Sequence, residues 1–226
     1  MQEVLKCVSG KFSPLKQFLY LDFSEIAPAH STPSLSGSRY DSQVICIGAE
    51  ASRALANSRL FVVGSGAIGC ELMKILAMMG CSTGEKGSLT LTDDDQIERS
   101  NLNRQFLFRD YHIGKPKSET AKGSILSINP SMRIDAHKRR VDPKSEDIYT
   151  NAFFEGLDCV MNALDNVEAR RYVDHRITVT QRPLVESGTM GTKGHVQVWM
   201  DHHLKFGENF QYLFSEFEKI SFSILD

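Results

Sequence analysis

The chain predicts an α/β fold: a doubly wound, mostly parallel sheet with helices on both faces. Three observations carry this expectation. Short apolar runs alternate with stretches of helical periodicity between residues 59 and 187, and such alternation means crossovers that cover both faces of a parallel sheet. A glycine-rich turn follows the first of these runs and opens the first helical stretch. Apolar residues make up 41% of the 226 and charged residues 24%, the balance of a globular domain with a buried core.

The elements follow in order. "MQEVLKCVSG" is amphipathic and stops at Gly10, and "QFLYLDF" is an apolar strand-like run, so residues 1–28 read as helix then strand. Residues 29–38 lie in a Pro-, Ser- and Gly-rich linker without periodicity. The principal unit then runs over 39–200. Its strands are expected at 59–64, 87–93, 133–139, 157–164 and 183–187, each a short run bounded by turn residues. Helices are expected at 67–80, closed by Gly80, at 116–129, with Pro116 in the first turn, and at 166–180. Residues 201–226 form a divergent C-terminal segment, in which His202 and His203 read as exposed loop.

Composition narrows the function classes. A formal net charge of -2 and a pI near 6.4 argue against non-specific nucleic-acid binding. No apolar run reaches membrane-spanning length and no signal pattern opens the chain, so a cytosolic or nuclear protein is expected. The five cysteines (Cys7, Cys46, Cys70, Cys81, Cys159) contain no CxxC pair, which points to reduced thiols and away from disulfides or zinc. The seven histidines show no ligand spacing.

Chemistry concentrates in two places. "GSGAIG" sets Gly64, Gly66 and Gly69 in GxGxxG spacing between a strand and a helix. Glycines there permit a tight turn and close approach of a phosphate to backbone N–H groups, as in Rossmann-like folds. The second place is "TDDDQIERSNLNRQFLFRDYHIGKPK", where carboxylates come first and Asn101, Arg104 and Lys117 follow. A nucleotide needs that order, with a diol and a metal for the acids and phosphates for the cations. Strand alternation would set Asp93 and Asp95 on one side with Asp94 turned away. Lys117, in a helix's first turn, opposes the macrodipole unless an anion lies between. Past the fourth strand, Asp165 and Asn166 leave two readings open: ligand binding at the carboxyl end of the sheet, or a capping box of Asp165 with Glu168.

Taken together, "VVGSGAIGCE", "LTDDDQIERSNLNRQFLF", "GKPKSETA", "NALDNVEARRYV" and "PLVESGTMGTKGHVQV" closely resemble the active adenylation domain of the ubiquitin-activating enzymes, from about Arg39 to Val198. Residues 1–28 resemble the tail of the inactive adenylation half that precedes it. The resemblance implies ATP and Mg2+ as cofactors, with Ala67 against the nucleotide and Asp93, helped by Asp95, on the ribose. It places Asn101, Arg104 and Lys117 on the triphosphate, Asp165 on magnesium and Asn166 on the nucleotide. The implied reaction joins the C-terminal carboxylate of ubiquitin, or of a ubiquitin-like protein, to the α-phosphate of ATP, with Asp165, Arg104 and Lys117 as its catalytic groups. Partners implied are that modifier, the inactive half, and ubiquitin-conjugating enzymes through domains missing from this chain.

Three departures accompany the resemblance. No cysteine lies in the context of the family's thioester cysteine, "RYDSQ" has Ser42 where homodimeric relatives have arginine, and residues after Trp199 diverge. A truncated, catalytically incomplete chain is therefore expected. Competing readings are a non-catalytic nucleotide-binding partner domain and an NAD-binding oxidoreductase, for which the glycine loop and Asp93 would serve equally.

Overall fold

The computed structural model describes residues 2–11, 13, 36–190, 193–199 and 222–223. Helix α1 (Gln2–Ser9) ends at Gly10, whose φ of 62° stops it where the sequence predicts. The strand expected at 17–23, most of the linker and most of the C-terminal segment, His202 and His203 included, lie outside the described residues.

Among the described residues the strands are β1 (Arg59–Val63), β2 (Ser88–Thr92), β3 (Ile134–His137), β4 (Cys159–Asn162), β5 (Leu184–Met190), β6 (Lys193–Trp199) and β7 (Phe222–Ser223). They form one sheet in the order β3-β2-β1-β4-β5-β6-β7. β1 to β5 run parallel, while β6 and β7 add to the edge antiparallel. All five expected strands are present; β3 and β4 are shorter than 133–139 and 157–164, because ladder pairing covers only Ile134–His137 and Cys159–Asn162. β5 instead extends to Met190 by pairing with β6.

The helices are α2 (Asp41–Ala56), α3 (Ala67–Met79), α4 (Lys117–Ile128), α5 (Asn151–Glu155) and α6 (Val167–Thr180). The expected helices match α3, α4 and α6 to within a residue at each end, with Gly80 as the left-handed C-cap of α3. Helix α2 was not legible: it buries no residue fully, and Gly48 (φ 85°, ψ 162°) breaks its pattern in the middle.

Strand β1 shows how the core is built. Leu60 and Val62 face one side and pack with Met73 and Leu76 of α3 and Ile125 of α4. Phe61 and Val63 face the other, against Phe154 of α5 and Val173 and Ile177 of α6. Both sets are buried, as a strand covered on two faces requires. Three cysteines belong to this packing: burial pushes the thiols of Cys70, Cys81 and Cys159 up to about 11. Thiols held that high are protonated at neutral pH and are poor nucleophiles. Among the described residues no helix is long and apolar enough to cross a membrane.

Candidate functional site

The strand order reverses direction at β1, which has β2 on one side and β4 on the other. In open α/β sheets the carboxyl ends of strands flanking such a reversal form a ligand crevice. The segments following β1, β2 and β4 carry Gly64–Gly69, Asp93–Asp95 and Asp165–Asn166, so of the four stretches holding candidate residues, the one around Lys117 being the fourth, three meet at the carboxyl end of the sheet. The fourth is drawn in by Gln96, which bridges to Pro116, and by the Lys117 N–H, which donates to Asp95 O at 3.0 Å.

The glycines have different reasons to be there. Gly64 has φ 99°, and a Cβ on it would lie 2.6 Å from Ala163 O. A Cβ on Gly69 would overlap the Gly64 carbonyl, whose carbon would be 2.9 Å away. Both are required by the protein's own packing of β1, α3 and the β4 exit. Gly66, the N-cap of α3, is not: a Cβ there would meet nothing nearer than Gln105 Nε2 at 4.0 Å. That open space lies at the N-terminus of α3, where Ala67 begins the helix.

Asp93 ties the glycine loop to β2. Its Oδ2 accepts from Ser65 N–H (2.6 Å) and Ser65 Oγ (3.0 Å), and its Oδ1 accepts from Asp95 N–H at 2.9 Å. Burial raises the Asp93 carboxyl above its ordinary value, opposed by the bonds from Ser65 and Asp95 and by the charge of Lys117. The expectation that Asp94 turns away from Asp93 and Asp95 is corrected. β2 ends at Thr92, so strand alternation no longer applies, and all three carboxylates bring an oxygen within 4.8 Å of one another.

Lys117 is buried (7% exposed), and its Nζ contacts Asp95 Oδ2 at 2.7 Å. The anion that the placement of this cation demands is thus supplied in part by Asp95. Arg104 is exposed, and its Nη1 donates to Ser100 O (3.0 Å) and Asn103 Oδ1 (3.2 Å). Asn101 is buried and has a structural task, its Oδ1 accepting from Glu98 N–H at 2.9 Å to close a short 3-10 turn. Sequence reasoning missed Gln105 and Ser65. Gln105 is 3% exposed, sits beside the glycine loop, and its Oε1 has no hydrogen-bond partner among the described residues; its position within "NRQF" was the available signal.

At the end of β4 the capping reading needs a second correction. The N-cap of α6 is Asn166, whose Oδ1 accepts from Ala169 N–H at 2.7 Å, and not Asp165 paired with Glu168. Asp165 lies one residue outside the cap and is exposed. Asn166→Ala is therefore expected to lower stability by about 0.5–2 kcal/mol, and Asp165→Ala to leave it nearly unchanged. Thermal melts of the two variants compare them directly; equal losses would contradict this assignment.

A groove of about 700 Å³ lies elsewhere, between the 106–116 loop and α4, lined by Phe106, Tyr111, Lys115 and Thr120 among others. None of the glycine-loop or carboxylate residues lines it. The switch-point crevice has the better chemistry: open space at a helix N-terminus, a buried cation, an unpartnered buried amide oxygen and an exposed carboxylate. These suit a magnesium nucleotide, with phosphate against N–H groups and the cation, and metal against a carboxylate.

Comparisons with known proteins give the family of the chain. The ThiF family model matches residues 40–220. Over 203 residues the chain is 53% identical to ubiquitin-like modifier-activating enzyme 6 of Mus musculus, covering 87% of this chain and 19% of that protein. It is 50% identical over 208 residues to ubiquitin-activating enzyme E1 1 of Schizosaccharomyces pombe, covering 89% and 21%. Against human ubiquitin-like modifier-activating enzyme 1 it is 48% identical over 203 residues, covering 87% and 19%. The chain spans about a fifth of the length of these relatives. On this evidence the chain belongs to the ThiF family, and its relatives are ubiquitin-activating enzymes.

Proposed function

We propose that residues 39–200 form an adenylation domain that joins the C-terminal carboxylate of ubiquitin, or of a ubiquitin-like modifier, to the AMP moiety of ATP. The observation that carries this reading is the convergence of Gly66, Asp93, Lys117 and Asp165 at the β1–β4 switch point. A carboxylate oxygen bonds to the α-phosphorus, the anhydride bond to the β-phosphate breaks, and pyrophosphate leaves.

The chain's own residues have distinct parts in this reading. The backbone at Gly66 and Ala67 accepts the phosphates at the α3 N-terminus, where N–H groups and helix dipole favour anions. Asp93, with Asp95 beside it, accepts from the ribose hydroxyls; its carboxylate is already oriented by Ser65. Lys117 and Arg104 oppose charge building on the phosphates, Arg104 by exchanging its loop contacts for phosphate oxygens. Asn101 holds the turn that presents Arg104 and adds a contact to the triphosphate, and Asn166 joins α6 to the nucleotide while capping the helix. Asp165, free of capping duty, holds Mg2+, which supplies positive charge to the phosphates when bound. A further cation and the cysteine chemistry would come from the inactive half and from domains outside this chain, through which ubiquitin-conjugating enzymes also engage.

Isothermal titration of the chain with Mg-ATP and with NAD tests the reading. ATP is expected to bind at least tenfold tighter, because the cations past Asp95 suit phosphates and leave a nicotinamide unserved. Tighter NAD binding would instead establish the oxidoreductase reading.

A further inference from the structure

Asp165 sits on an exposed turn, yet a magnesium ligand must be held in place to be of use. Four groups behind that turn form a buried polar chain. Asn162, the last residue of β4, and Glu186, the third of β5, are register partners. The Asn162 Nδ2 donates to Glu186 Oε2 at 2.7 Å, and Ser187 Oγ donates to Asn162 O at 2.7 Å. Glu186 is 1% exposed, and its Oε1 is paired with Arg170 Nη1. The other arm of that guanidinium, Nη2, donates to the carbonyl of Leu164, the residue before Asp165. Arg170 is 9% exposed and belongs to the first turns of α6.

Taking a carboxylate and a guanidinium out of water is costly, and such pairs add little net stability over apolar residues of similar size. Their value lies in direction. A planar guanidinium offers parallel donors at fixed angles, so one arm on Glu186 fixes where the other meets Leu164. Glu186 is in turn fixed by the sheet. The turn carrying Asp165 is thereby referenced to β5 and not only to its own α6 cap. Charge reaches the same place: burial pulls the Arg170 pKa down, and the nearby Asp165 carboxylate opposes that shift.

We infer that Arg170, anchored on Glu186, is a positioning residue for the Asp165 metal ligand, holding the Leu164–Asp165 backbone in the orientation that Mg-ATP requires. The inference rests on the metal role proposed for Asp165. Lysine at 170 keeps charge but has no fork to serve Glu186 and Leu164 together. The pair Arg170→Met with Glu186→Gln removes both charges, fills the stem volume and keeps an acceptor for Asn162, which guards against unfolding as the sole effect.

The test is ATP affinity of the full chain with and without Mg2+, together with hydrogen exchange over residues 163–167. Asp165→Ala is expected to lose the Mg2+ enhancement. Arg170→Lys and Arg170→Met/Glu186→Gln are expected to lose at least tenfold of it, leave metal-free ATP affinity within about twofold, and speed exchange in the turn but not in β1 or β2. Asp165→Ala/Arg170→Lys should lose no more than Asp165→Ala alone, since coupled residues are non-additive. If Asp165→Ala loses the enhancement while both Arg170 variants keep it, or if the losses add, the positioning inference alone is overturned. If Asp165→Ala keeps it, the metal reading fails and the inference with it.

Discussion

Gly69→Ala is expected to lower stability by about 3 kcal/mol, and so the melting temperature by roughly 6–12 °C, and to abolish nucleotide binding. A methyl group there would overlap the Gly64 carbonyl, and the obstacle is backbone, not a flexible side chain. Relief requires lifting α3 from β1 or displacing a loop already pinned by Gly64 N–H on Thr92 O (2.8 Å) and by Ser65 on Asp93. Either movement disturbs the phosphate-facing turn. Gly66→Ala is the informative control, because its φ of -70° suits alanine and its Cβ would meet no atom nearer than 4.0 Å. That variant should melt with the wild type yet bind ATP at least tenfold more weakly, its methyl occupying the space where phosphate approaches. Thermal melts and ATP titration of the two variants separate a glycine the fold needs from one a ligand needs. A Gly69→Ala chain that melts with the wild type would falsify the packing argument.

What was legible in the sequence was whatever depends on period and local chemistry. The central strand β1 is a continuous apolar run from Leu60 to Val63 because helices cover both faces of it and no solvated face interrupts Phe61 or Val62. Gly80 announced the end of α3 because only a left-handed residue terminates it that way. Helix α2 escaped because Gly48 divides it and its faces are only partly buried, so apolar periodicity has little to record. In the site, the sorted charges between Asp93 and Lys117 were visible, but their pairing was not. That Lys117 reaches Asp95 depends on the Gln96–Pro116 bridge, a contact across a loop. The Asp94 expectation failed where a strand rule was carried over the three residues past the end of β2. The Arg170–Glu186 pair was illegible, since an arginine on a helix and a glutamate on a strand read as surface until topology buries them.

The last expected result concerns Lys117→Met, which keeps the buried stem and removes the charge. Asp95, the cation's partner, is 64% exposed at its side chain while that of Lys117 is 9%. Solvent therefore screens much of the pair's attraction, and its loss should cost no more than about 1 kcal/mol of stability. A charge-assisted bond to a phosphate is worth more, about 1.5–3 kcal/mol, or roughly 10- to 150-fold in affinity at 1.4 kcal/mol per tenfold. ATP binding should weaken by that factor and AMP binding by less, because AMP lacks the outer phosphates and keeps the Asp93 site. The variant's freed Asp95 adds to the contrast, standing as an uncompensated anion beside Asp93 and Asp94 where a polyphosphate must approach. Adding Asp95→Asn to Lys117→Met should then recover part of the ATP affinity while leaving AMP almost unchanged. Equal losses for ATP and AMP in Lys117→Met would mean that the lysine serves the fold of the 93–117 loop and not the phosphates, and the melting temperature would fall accordingly.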